Sequence, residues 1–331
     1  MMTHSIRLLQ QLHYPSGLFA AAAKDVNTGY SRAWIRDNVY AALGLEAAGQ
    51  HEAVLNTYHA LLGILKKHEY KIDWMIKQPQ PKAAFRYIHA RYDPLTGDEI
   101  NEEWGNKQND AVGALLFKIG GLTKKGLAVI RDEHDKRIVQ KLVHYLAAIE
   151  YWHDADNGMW EEAEEVHASS IGACVAGLQA VQSIVDVPQE LIDNGKAALN
   201  ALLPRESTTK DADLALLSLI YPYDIASEQQ RDAILKNIEE KLLRGKGVIR
   251  YAGDKYYSNG AEAEWTMGLA WLAIIYKQLG QVRKHSYFLE KAIAAMNDKG
   301  ELPELYYGST SQHNENTPLG WAQSLFVVAA A

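Results

Sequence analysis

The chain has 331 residues, 47% of them hydrophobic and 23% charged, a balance that supplies a substantial core and excludes a disordered or fibrous polypeptide. Its 34 basic and 41 acidic residues give a formal charge of −7 without any block of like charge, which argues against a nucleic-acid or anionic-membrane surface and favours a neutral or cationic ligand. Cys174 is the single cysteine, so an intrachain disulfide and a cysteine-based zinc framework are both excluded.

In the first 23 residues His4, Arg7, Gln10, Gln11 and His13 interrupt any apolar run, so no standard secretion signal is expected there. No later stretch approaches the roughly 20 apolar residues that span a bilayer. A cytoplasmic protein without membrane partners is the expectation. Onward from residue 5, two kinds of helical periodicity alternate. Residues 5–12, 51–67, 135–151, 189–201, 228–243 and 282–296 carry charge on one face and read as half-exposed helices. Residues 33–48, 111–120, 170–182, 211–221, 263–279 and 318–330 are rich in Ala, Gly and Leu on every side, the mark of a buried helix. Six of each in alternation predict an all-α, (α/α)6 toroid, an inner ring wrapped by an outer one, forming a single domain over residues 1–331. Strand signals are thin, and only residues 247–257 suggest a short hairpin.

Five of the six buried helices are entered through a loop or first turn that carries Trp beside carboxylates, amides or Arg. Trp34 is followed by Arg36 and Asp37, Trp104 by Asp110, and Trp160 by Glu161 and Glu162; Trp265 follows Glu262 and Glu264, and Trp321 follows Glu304. Inner helices of a toroid run in one direction, so these entrances converge on one mouth. Any one of these Trp residues could be an ordinary core residue, and Asp37 and Asp110 alone read as helix N-terminal charges. Ser169 and Ser170 read as caps. Together, indoles, carboxylates and Arg suit a sugar, which offers apolar ring faces and hydroxyl groups. Hydrolysis of a glycosidic bond needs one carboxylic acid and one carboxylate. Glu161, beside an indole and next to the like charge of Glu162, has the setting of an acid with a raised pKa.

These stretches, with His167, Ser169 and Ser170, Arg250 and Asp254, Tyr256 and Tyr257, and the segment from Leu302 to Trp321, resemble glycoside hydrolase family 15, the glucoamylase and glucodextranase group, along nearly the whole chain. The resemblance implies Glu161 as general acid and Glu304 as general base, with Trp321 following Glu304 by 17 residues as in the glucoamylases. It further implies Arg36 and Asp37 on hydroxyls of the terminal glucose, Arg250 around the cleaved bond, Trp104 stacked on the substrate and Glu162 at the adjacent sugar. Trp34, Asp110, Trp160, Asp254 and Trp321 complete the expected substrate site. An inverting exo-acting α-glucosidase is implied, acting on an α-glucan or oligosaccharide, with carboxyl groups roughly 6.5–9.5 Å apart. Asn106 and Lys107 stand where the secreted glucoamylases carry Arg-Pro, and neither a β-sandwich nor a starch-binding module is visible, so soluble malto- or isomalto-oligosaccharides are the expected substrates.

A second resemblance gives the rival reading. The stretches from Ala33 to Tyr40 and from Leu202 to Asp211 are more similar to the N-terminal part of the phosphorylase kinase α and β regulatory subunits, which implies glucan binding without turnover. The 12 histidines lack metal-ligand spacing, and neither a calcium loop nor a Gly-rich phosphate loop occurs, so no cofactor or metal is expected.

Overall fold

The computed structural model describes the chain apart from Asn101 and Glu103. Its helices are, in order, α1 (Met2–Leu12), α2 (Ile35–Ala47), α3 (His51–Lys67), α4 (Glu69–Lys77), α5 (Asn109–Lys124), α6 (Glu133–Ile149), α7 (Ala168–Val181), α8 (Gln189–Leu202), α9 (Glu228–Asn237), α10 (Met267–Gln278), α11 (Val282–Ala294) and α12 (Gly320–Ala330). A helix apolar on every side must be covered on every side, and here such helices cover one another. α2, α5, α7, a 3-10 segment at Leu214–Leu219, α10 and α12 touch in that sequence, and α12 returns to α2 to close a ring. Outside it, α1 packs on α12 and α2, α3 on α2, α6 on α5 and α7, α8 on α7, α9 on the 3-10 segment, and α11 on α10 and α12. This is the all-α double ring that the alternation predicts.

The outer helices show why they lie outside. In α3, Val54, Tyr58, Leu61, Leu62 and Leu65 recur at helical spacing and are buried together with Thr57 and Ile64, while Glu52, Asn56, Gly63 and Lys67 face water. α6 buries Ile138, Val139, Leu142, Leu146 and Ile149 in the same way, and the Asp132 side chain caps its first turn by accepting from Asp135 N. In the inner ring the tightest contact is between α5 and α7. An added Cβ on Gly113 would lie 2.3 Å from the Ala173 carbonyl carbon, and one on Gly177 would lie 2.4 Å from the Gly113 carbonyl oxygen. Only glycine allows these backbones to approach so closely.

Two small antiparallel ribbons complete the frame. β1 (Ala33–Trp34) pairs with β2 (Arg91–Tyr92), and β3 (Glu264–Trp265) pairs with β4 (Leu305–Tyr306). β1 and β3 stand directly before α2 and α10, and β4 directly follows Glu304, so both ribbons fix the entrances to inner helices.

The structure corrects several details of the sequence reading. The fourth inner helix shrinks from the expected 211–221 to a 3-10 segment at Leu214–Leu219, because Asp213 caps its start through Ala215 N and Pro222 forbids its continuation. Residues 247–257 do not form a hairpin. Val248 pairs instead with Trp265, and Arg250 folds back on Asp254 four residues later. α4 was not legible in the sequence, for it follows α3 after one residue and is only nine residues long. Ser169 and Ser170 are not caps, since both sit inside the first turn of α7 and bond to Glu206 and Asp156. Among the described residues no helix is long and apolar enough to cross a membrane.

The α5–α7 contact makes a two-sided prediction. Gly113→Ala is expected to destabilise the protein by about 1–3 kcal/mol despite its better helix propensity. Gly63→Ala, at a helical position where an added Cβ meets nothing within 4 Å, is expected to stabilise it by about 0.5–1 kcal/mol. Urea unfolding of both variants reads the two signs.

Candidate active site

Five of the six inner elements bring the residues that lead into them to one mouth, and a pocket of about 220 Å³ lies there. Its wall includes the Trp from all five entrances: Trp34, Trp104, Trp160, Trp265 and Trp321. Trp160 lies between Trp265 and Trp321, at centroid distances of 5.6 and 6.4 Å, and Trp104 meets Trp34 edge-on at 6.0 Å. Arg36, Asp37, Glu161, Arg250 and Glu304 supply the charged part of the wall. Arg36 Nε, Trp265 Nε1 and Trp321 Nε1 have no hydrogen-bond partner among the described residues. Donors left unpaired at a pocket wall suit a ligand rich in hydroxyl groups.

Glu161 sits on a loop tied at its base by the pairing of Asp156 with Glu165, 2.9 Å in both directions. Asn157 braces the loop from inside, accepting from Lys107 N at 3.0 Å and donating to the Glu162 carbonyl at 2.6 Å. The turn so formed places Glu161 itself at φ 63°, in the left-handed region that non-glycine residues adopt only when their surroundings hold them there. Its carboxyl Oε1 accepts from Arg36 Nη2 at 3.1 Å. Arg36, buried in the first turn of α2, is held from the other side by Asp110 at 3.1 Å and Gln108 at 2.9 Å. Burial raises the Glu161 pKa to about 7 against the pull of Arg36, with Asp37 adding its repulsion. Asp37 is itself raised to about 6, chiefly by burial.

Glu304 is fixed differently. Its backbone N donates to the Asn316 carbonyl at 3.0 Å, and its carbonyl accepts from Thr266 N at 3.3 Å. Oε1 accepts from the Tyr30 hydroxyl at 2.6 Å; Oε2 accepts from Asn314 at 2.5 Å and Asn316 at 2.7 Å. Tyr30 spends its single proton on Glu304, so Tyr256, 3.0 Å away, is the donor to Tyr30. Burial raises the Glu304 pKa, and the three donors and the charge of Arg250 work against that rise.

Behind the wall lies a layer of paired charges. Arg250 is gripped by Asp254 at 2.6 and 2.7 Å and reaches Glu162 at 2.9 Å, with Trp265 and Tyr256 against its guanidinium. Glu162 also accepts from Lys210 and Tyr251. Trp160 donates to Asp213 at 2.8 Å. His167, beside Glu206 at 3.4 Å, keeps its proton up to about 9, because Glu206 and Asp156 outweigh the burial that opposes it.

Of the residues singled out in the sequence, Trp34, Arg36, Asp37, Trp104, Trp160, Glu161, Arg250, Glu304 and Trp321 line the pocket. Asp110, Glu162 and Asp254 stand behind it and hold Arg36 and Arg250. Tyr30, Arg91, Asn314 and Asn316 were not found by sequence reasoning. Tyr30 and Arg91 line the pocket, and the two amides hold Glu304 from behind. Among the described residues no three His, Cys, Asp or Glu side chains gather as a metal site.

Residues 1–239 match the family model described as Glycosyl hydrolases family 15. The alpha regulatory subunit of phosphorylase b kinase from rabbit skeletal muscle (Oryctolagus cuniculus) is 26% identical over 90% of this chain, which spans only 30% of that protein's length. A solved wild-type glycosidase superposes with a TM-score of 0.86 at 19% identity, covering 99% of this chain and 95% of its own. A bacterial glucoamylase solved with acarbose superposes with a TM-score of 0.75 at 15% identity, covering 99% of this chain and 54% of its own. Both structures share the fold described above.

The setting of Glu161 has a measurable cost. Its folded pKa lies above the ordinary carboxyl value, so between roughly pH 4.5 and 7 the folded protein keeps a proton that the unfolded chain has released, and stability falls as pH rises through that window. Glu161→Gln has no proton to lose. Its stability relative to the parent is expected to increase by about 2–3 kcal/mol between acid and mildly alkaline pH. Urea unfolding across pH reads this, and a pH-independent difference contradicts a carboxyl titrating near neutrality.

Proposed function

The chain belongs to glycosyl hydrolase family 15, and on that premise we propose that it is an inverting, exo-acting α-glucosidase that releases β-glucose from the non-reducing ends of α-glucans or malto- and isomalto-oligosaccharides. The observation that carries this reading is the pairing, in one pocket of indoles, of two carboxyl groups with different surroundings. Glu161, whose Oε1 is committed to Arg36, carries its proton on the other oxygen and delivers it to the departing glycosidic oxygen. Glu304 has about four acceptor positions, of which Tyr30, Asn314 and Asn316 take three. The position left over, on Oε1, takes a proton from water as that water attacks the anomeric carbon. Bond breaking is balanced: water gives hydroxyl to carbon and a proton to Glu304, while the leaving oxygen takes the Glu161 proton.

The size of the pocket favours a chain end over a mid-chain segment. A cavity of about 220 Å³ suits a single sugar ring. Arg36 and Asp37 then bind hydroxyls of that ring, Arg250 lies near the cleaved bond, and Trp104 and Trp321 offer faces for stacking. The acarbose-bound glucoamylase of the same fold supports a sugar ligand here.

A second reading is favoured by the phosphorylase b kinase regulatory subunit, a relative over nearly the whole of this chain. In it the pocket binds glucan without hydrolysing it.

Proton NMR of the anomeric signals, with maltose, isomaltose and maltotriose, separates the two. β-Glucose is expected to appear first, with Glu161→Gln and Glu304→Gln each slowing release by about 10²–10⁴-fold. The pH profile of kcat/KM is expected to fall on the alkaline side with an apparent pKa near 7, as Glu161 loses its proton. Sugar binding without glucose release establishes the regulatory reading.

A further inference from the structure

The stretch from Leu202 to Asp211, singled out in the sequence, lines no part of the pocket. It leads from the end of α8 towards the 3-10 segment, and it grips the loop that carries Glu161. The Thr209 hydroxyl lies 2.8 and 2.9 Å from the two carboxylate oxygens of Glu165. Buried Glu206 accepts from Ser169 N at 3.1 Å and from the Ser169 hydroxyl at 2.5 Å, at the start of α7. Lys210 makes the third tie, donating to Glu162 Oε2 at 2.8 Å.

Lys210 is an ammonium only 10% exposed, and it stands between two carboxylates that each hold a different residue of the pocket wall. Besides Glu162, its Nζ lies 4.0 Å from Asp213 Oδ2 and 4.0 Å from the centre of the Tyr251 ring. Asp213 is fully buried and commits Oδ1 to Trp160 Nε1 and Ala215 N, both at 2.8 Å. Its Oδ2 has no hydrogen-bond partner among the described residues. A buried carboxylate with one bare oxygen is costly to keep ionised without a cation nearby. Burial, with the like charge of Glu206, pushes the Asp213 carboxyl pKa up; Lys210 pulls it down, together with the bonds from Ala215 and Trp160. On the other side, Glu162 Oε1 accepts from Arg250 at 2.9 Å and from Tyr251 at 2.7 Å. Trp160 and Arg250 are themselves in contact, with the guanidinium 5.4 Å over the indole.

We propose that Lys210 is a positioning residue of the pocket: by serving Asp213 and Glu162 at once, it fixes Trp160 and Arg250, two adjoining parts of the wall that meets the sugar. What this does for a sugar rests on reading that pocket as a glucan site. An ionised acceptor holds an indole N–H more firmly than a protonated one. Without Lys210, Asp213 takes up a proton, its charge-assisted bond to Trp160 becomes a neutral one, and Glu162 is left to Arg250 and Tyr251. Neither task requires turnover, so the same ammonium serves a pocket that hydrolyses glucan and one that only binds it.

Two measurements on the full chain test the proposal, both with Glu161→Gln in place so that the neighbouring carboxyl does not titrate. In nitrogen-15 NMR, the Trp160 indole N–H resonance, identified by its loss in Trp160→Phe, is expected to titrate with Asp213 and to stop titrating in Asp213→Asn. Lys210→Met, which keeps the aliphatic stem, is expected to move that titration upward by about one to two pH units, and Lys210→Arg, which keeps the charge, to leave it near the parental position. Calorimetric titration with maltotriose is expected to show binding weakened roughly fivefold to tenfold by Lys210→Met and unchanged by Thr208→Ala, an exposed side chain of the same loop. A Trp160 titration that stays in place when Lys210 is replaced, maltotriose affinity equal to the parent's, or an equal loss in Thr208→Ala overturns the proposal. Where Lys210→Met does not fold, Lys210→Gln gives the same reading. Failure of every variant and the parent to bind sugar overturns the glucan reading of the pocket, and the indole titration then decides the part of Lys210 by itself.

Discussion

Arg36 is the hinge of the site. A guanidinium only 3% exposed cannot be left alone, and the fold surrounds it with Asp110 from α5, Gln108 just ahead of that helix, and Glu161 from the loop before α7. One buried cation thus joins the entrances of three consecutive inner elements. At Glu161 burial and the nearby charge of Asp37 oppose the pull of Arg36. Glu161 therefore feels burial more than attraction and keeps its proton near neutrality.

Glu304 depends on a different kind of support. Neutral donors, two amides and a phenol, hold it, and among the described residues no ion pair is formed with it. Burial and Glu304 raise the Tyr30 pKa well above its ordinary value, so Tyr30 remains a donor throughout the working range. The two carboxyl groups are thus treated oppositely: one is tied to a balanced cation, the other is cradled by hydrogen bonds that favour its ionised form. The toroid makes this possible because all entrances of the inner ring meet, although residues such as Tyr30 and Glu304 lie 274 positions apart in sequence.

How far the sequence was legible follows from the same geometry. Helices reveal themselves by period, and α3 and α8 begin where their periodic segments begin. The Trp at five helix entrances was legible because indoles beside charges are uncommon at such positions, and all five line the pocket. What period cannot show is which of two neighbouring carboxylates faces inward. Glu161 and Glu162 are adjacent, yet a left-handed turn at Glu161 sends one to the pocket and leaves the other to Arg250, Lys210 and Tyr251. Asp110 and Asp254 were singled out beside the right motifs but serve as anchors for Arg36 and Arg250. Tyr30, Asn314 and Asn316 lie in irregular segments, where pattern carries no information and only three-dimensional proximity gives them a part.

The most direct test of this account is a crystal structure of Glu161→Gln with maltotriose bound. The account predicts the non-reducing ring between residue 161 and Glu304, the residue 161 side chain on the glycosidic oxygen, and an ordered water on Glu304 Oε1 facing the anomeric carbon, with the two side-chain carbonyl groups roughly 6.5–9.5 Å apart. A sugar bound elsewhere on the ring of helices, or an anomeric carbon in contact with Glu304 and no room for water, contradicts it.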